Sequence, residues 1–232
     1  MQDSSTLARA LYYDFFAGFF LYELVGERKN LFLQQIDILA TSPITESDSE
    51  SFAMLKAYLL KADSNELLRQ YTQTFNLPFS THFLPQADTS STQHGKKSKR
   101  PKIPNPQIFL YLSHYLEGCL NGESLLKAKA LVKKTHFRLN AQEFKETEEH
   151  FGFLLLLMRH MLADSQDSHT HTTNERYNAQ RDTLVKEIFT QAIAPMGFPI
   201  AKTLGAREDL VCYHLVGLLL ESFLTLEQHI IS

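Results

Sequence analysis

The stretch from Ala141 to Leu162, AQEFKETEEHFGFLLLLMRHML, limits the fold more than any other part of the chain. An acidic run of Glu143, Glu146, Glu148 and Glu149 passes through His150 into Phe151–Met158, a block with almost no polar residue. A short apolar block of this kind fits a helix buried on nearly every side. A helix beginning here sets the carboxylates at its positive end, with Thr147 as a candidate N-cap. Glu146 and His150 then become neighbours four residues apart on one face. The stretch predicts a central core helix with a charged, titratable mouth.

Helical periodicity fills most of the remaining sequence. Leu7, Leu11, Phe15, Phe19 and Tyr22 form a stripe that Tyr12, Phe16 and Phe20 widen, and Gly26 is a stop signal. Further helices are predicted over 30–40 and 48–61, and from Ser64, read as a cap, with Leu67, Leu68, Tyr71 and Phe75 on one side. Patterning resumes near Gln107, breaks at Asn121-Gly122, and continues over 125–133. After the central helix, one helix is predicted over 176–192, ending at Pro195. The run Pro195-Met-Gly-Phe-Pro199 predicts a turn before another short helix, and 210–231 forms a long apolar closing helix. Strand signals are scarce, so the expectation is an all-α, single globular domain of roughly ten helices.

One composition shift interrupts this pattern. Leu84 to Pro106 is rich in Ser, Thr, Pro, Gln and Lys, and its core HGKKSKRPK holds five cations and no anion. It reads as a flexible loop joining an N-terminal helical half, 1–83, to a C-terminal half, 107–232.

The totals exclude several function classes. A formal net charge of -3 gives no general affinity for nucleic acid. Cys119 and Cys212 are distant and lack metal-type spacing, which suggests core thiols in a reducing compartment. The opening residues lack the basic region and cleavage site of a signal peptide, and no stretch approaches the roughly 18 apolar residues of a spanning helix. A cytoplasmic chain without an integral membrane segment is expected.

The chemistry-bearing residues leave alternatives open. Glu146, Glu149 and His150 fit either helix capping or an acid/base pair, since no second histidine stands at ligand spacing. His169 and His171 lie in a polar loop, with no carboxylate or thiol ligand positioned beside them. Lys96 to Lys102 fits a solvated loop or a phosphate contact, with no aromatic interleaved for base stacking. Tyr71 and Phe75 are an aromatic pair at helical spacing, and alone they read as a core stripe.

Motif order adds a resemblance. The opening ARALYYDFFAGFFLYEL, Tyr71-Thr-Gln-Thr-Phe75 with Leu77-Pro78, and Tyr115 to Glu123 resemble successive segments of the TorD/DmsD family of molybdoenzyme maturation chaperones. Glu146-Thr-Glu-Glu-His150 resembles that family's E-P-x-D-H motif, with Thr147 for the proline and Glu149 for the aspartate. Ala194-Pro195 falls at its Leu-Pro-Trp turn, Met196 standing where tryptophan is common. The resemblance implies a non-enzymatic, TorD-like helical chaperone without a cofactor or metal of its own. Its implied partners are the twin-arginine signal peptide and the apo form of a molybdopterin oxidoreductase. Glu146, Glu148 and Glu149 would meet the arginines, Tyr71 and Phe75 the apolar region, and His150 would orient a carboxylate or a peptide carbonyl. The chain would be a monomer or a dimer exchanging halves. Two other classes remain: a metal-dependent hydrolase using Glu146 and His150, and an interaction protein acting through the basic loop.

Overall fold

Nine of the 17 residues of α1 (Ser4–Phe20) are buried, and most of them are aromatic. The computed structural model describes residues 4–76, 108–140, 142, 144–163 and 174–232, the last segment with side chains from 179 onward. The expected basic loop, its cations Lys96 to Lys102, Leu77-Pro78 and the His169/His171 pair lie outside the described residues.

The helices after α1 are α2 (Tyr22–Val25), α3 (Lys29–Leu39), α4 (Glu46–Lys61), α5 (Ser64–Tyr71), α6 (Leu112–Glu117) and α7 (Glu123–Lys134). The chain closes with α8 (Phe151–Ala163), α9 (Asn174–Ile188), α10 (Ala194–Gly205) and α11 (Val211–Ile231). Among the described residues there is no strand, and one antiparallel bridge pairs Tyr111 with His150. The fold is all-α, as expected.

α1 packs along α8 and α4 packs along α11, so helices from both sequence halves share one core. The aromatic stripe of α1 is met on several sides. Phe19 stacks on Phe32 of α3 at 4.1 Å, and Tyr12 stacks on Phe223 of α11 at 5.0 Å. Phe20 meets Phe151 of α8 edge-on at 4.9 Å. Each such pair adds about 1 kcal/mol beyond the area it buries. Two polar groups tie the helices at fixed points. Asp14 takes Arg28 at 3.2 Å, Gln35 at 2.7 Å and Arg159 of α8 at 3.8 Å. Glu227 of α11 is wholly buried and accepts from Arg9 at 2.5 and 3.0 Å and from Tyr13 at 2.9 Å.

Four details differ from the sequence reading. The first helix stops at Phe20 instead of continuing through Tyr22, because Leu21 is extended (φ -119°, ψ 118°). The carbonyls freed there accept from tyrosine hydroxyls, Phe19 O from Tyr213 at 2.9 Å and Phe20 O from Tyr71 at 3.4 Å. The cap of α5 is Asp63, not Ser64, since its carboxylate reaches Glu66 N at 2.7 Å. Pro195 forces no turn: the π-helical turn Phe189–Ile193 runs directly into α10, and the looser ladder ahead of the ring accommodates its missing N–H. Cys119 is exposed, beyond the left-handed Gly118 that ends α6, while Cys212 is in the core as expected.

The α1–α8 seam needs a glycine. A Cβ on Gly152 would stand 2.7 Å from the Leu21 side chain and 2.9 Å from Phe20 O. Gly152→Ala is expected to lower the unfolding free energy by about 2 kcal/mol in urea denaturation. A loss below about 0.5 kcal/mol would mean that the seam relaxes freely.

Candidate functional site

Glu146, Glu148 and Glu149 do not lie on a helix. α8 starts at Phe151, and the residues ahead of it form a turn closed by His150 N donating to Thr147 O at 3.0 Å. The cause is the extended segment across from it. Phe151 N donates to Leu110 O at 2.8 Å and Leu112 N to Glu149 O at 3.3 Å. The first free amide of α8 is thereby satisfied by backbone instead of a side-chain cap. Thr147 Oγ1 makes no cap bond and is buried without a partner among the described residues. Both the cap expected at Thr147 and the shared helical face for Glu146 and His150 are corrected.

The turn splits its carboxylates by environment. Glu149 is wholly buried. Its Oε2 accepts from Ser113 N at 2.8 Å and Ser113 Oγ at 2.5 Å, and Ser113 Oγ in turn accepts from Gly122 N at 2.9 Å. Ser113 is in the first turn of α6, so a carboxylate remote in sequence caps that helix, where its dipole favours negative charge. Glu149 Oε1 and His150 Nδ1 are buried and have no partner among the described residues. His150 is 2% exposed, and burial pushes its pKa down to about 3, so the ring is neutral. Glu146 and Glu148 remain half-buried at the surface. Glu146 Oε2 accepts from the Tyr111 hydroxyl, and Glu148 stands 3.9 Å from Lys129.

Tyr71 and Phe75 belong to an aromatic cluster at the end of α1. They meet each other at 4.9 Å, and Phe75 contacts Phe20 at 5.8 Å and Tyr213 at 5.0 Å. Both are buried, while Tyr22 lies edge-on to Tyr71 at 5.5 Å and is exposed. Burial raises the Tyr71 pKa, and Glu146, Glu23 and Tyr111 add to the rise. The aromatic pair and the acidic turn are therefore within electrostatic reach of one another. Phe20 links them physically, with Phe75 on one side and Phe151 on the other.

Sequence reasoning missed Tyr111 and Ser113. The signal is present but weak: Ile108, Leu110 and Leu112 are buried and Phe109 and Tyr111 are half-buried, an alternation of period two. Because IFLYL is apolar throughout, that alternation does not stand out in the letters.

The stretch carrying this turn has relatives. The family described as nitrate reductase delta subunit matches residues 102–196. The match takes in α6 to α8 and the Glu146–His150 turn, and it supports the likeness to TorD/DmsD-type maturation chaperones. No curated protein and no solved structure matches the chain.

The buried histidine sets a pH dependence. Its folded pKa lies below the ordinary value of 6.5, so the unfolded chain takes up the proton first. Its contribution is complete above pH 6.5 and is lost as pH falls towards 3. Between pH 7.5 and 5 the protein is expected to lose about 2 kcal/mol more unfolding free energy than a His150→Phe variant. Parallel pH profiles from denaturant melts of the two proteins would contradict this.

Proposed function

We propose that the chain is a cytoplasmic chaperone for a molybdopterin-containing oxidoreductase. It binds the client's twin-arginine signal peptide, its apo form, or both, assists cofactor insertion, and holds back export until the client has folded. The nitrate reductase delta family implies a maturation chaperone for a molybdoenzyme, a non-catalytic role. No helix among the described residues is long and apolar enough to cross a membrane.

The observation that carries the finer reading is the half-buried acidic turn beside an aromatic cluster. Glu146 and Glu148 offer carboxylate oxygens at the surface, suited to charge-assisted pairing with guanidinium groups. Tyr22, exposed and lying edge-on to the buried Tyr71, offers an apolar surface for the segment that follows the arginines. A peptide with charged and apolar parts needs such a combination. Glu149 and His150 support the turn from behind, fixing α6 and the bridge to Tyr111. The hydrolase alternative asks for an accessible Glu146–His150 pair. Here His150 is buried, and no group of three His, Cys, Asp or Glu among the described residues could hold a metal ion.

A synthetic twin-arginine leader titrated against the protein tests the reading. Glu146→Lys should weaken binding at least about tenfold, and added salt should weaken binding to the unaltered protein. Unchanged affinity in Glu146→Lys removes the electrostatic contact. Failure to retain any twin-arginine leader or any apo-molybdoenzyme sinks the function itself.

A further inference from the structure

Tyr111 is where the parts of this site meet. Its hydroxyl donates to Glu146 Oε2. Its backbone pairs with His150, and its ring stands edge-on to the imidazole, with centroids 5.3 Å apart and planes at 76°. The residues on either side of it, Leu110 and Leu112, hold Phe151 N and Glu149 O by hydrogen bonds of 2.8 and 3.3 Å. The side chain thus starts from a backbone already locked to the turn. It also adds to the rise in the Tyr71 pKa, after burial, Glu146 and Glu23.

We propose that Tyr111 is a positioning residue for Glu146, holding one carboxylate oxygen so that the other is presented to a guanidinium of a basic peptide. The inference rests on the peptide-binding reading above. A half-exposed glutamate has several rotatable bonds, and pairing with a ligand freezes them at a cost in side-chain entropy. A hydrogen bond from a tyrosine fixed by its own backbone removes much of that freedom before the ligand arrives. Glu146 Oε2 is taken by Tyr111, and Oε1 has no protein partner among the described residues. An oxygen held in one place suits the planar fork of arginine better than the rotating ammonium of lysine. Burial, and then the bond to Glu146, keeps the phenol protonated, so the donor persists wherever the peptide's arginines are charged.

Tyr111→Phe keeps the ring packing and removes the hydroxyl. Fluorescence anisotropy with a twin-arginine leader and its twin-lysine counterpart reads out the effect, alongside Glu146→Gln and the double variant. Tyr111→Phe should bind the arginine leader about fivefold more weakly, with a smaller preference for arginine over lysine. The double variant should bind no more weakly than Glu146→Gln alone, because the hydroxyl acts through that carboxylate. Thermal melts should place Tyr111→Phe close to the unaltered protein. Unchanged binding in Tyr111→Phe while Glu146→Gln weakens it would overturn this inference and leave the proposed function standing. Additive losses in the double variant would overturn it as well. Absence of leader binding by the unaltered protein would overturn this inference together with the signal-peptide part of the proposed function.

Discussion

Helix α1 carries more aromatic surface than one neighbour can cover, and the remaining helices are placed by the need to cover it. α3, α8 and α11 each supply a ring to a different part of the stripe. The apolar term is large but undirected, so it does not by itself decide how each helix is rotated. Direction comes from the few charged groups at the seams. Asp14 joins α1, α3 and α8, and Glu227 joins the two ends of the chain through Arg9 and Tyr13. Removing one partner of such a pair leaves a buried charge uncompensated, so these contacts penalise wrong arrangements more than they reward the right one.

The acidic turn combines structural and chemical demands within five residues. Glu149 is drawn inside to cap α6, and His150 is drawn inside by the bridge to Tyr111. Among the described residues neither is fully satisfied, since Glu149 Oε1 and His150 Nδ1 lack partners.

The helices were legible because their apolar residues recur with the helical period over long runs, as in 7–20 and 210–231. The core placement of Phe151–Met158 followed from having almost no polar residue to expose. What the letters did not reveal was set by long-range backbone pairing. The extended segment Ile108–Tyr111 is apolar on both sides, so its period-two burial was hidden, and the sequence suggested a helix. That error carried over to the turn, because His150 cannot join a helix while paired with Tyr111. Pro195 misled for a different reason: a proline ends a helix only if the preceding turn keeps its regular ladder, and here that turn is π-helical. Of the candidate site, Glu146, Glu148, Tyr71 and Phe75 were grouped in the sequence only through motif resemblance. It contained no cue that Glu149 faces inward or that Tyr111 faces Glu146.

The hydroxyl of Tyr71 is already committed. It donates to Phe20 O, at the point where α1 stops and Leu21 turns extended. Anything that claimed this hydroxyl would strand a carbonyl in the core, so Tyr71 is held in the packing by its polar handle as well as by its ring. The end of α1 and the aromatic cluster are therefore one unit, and neither shifts without breaking the bond that closes the other.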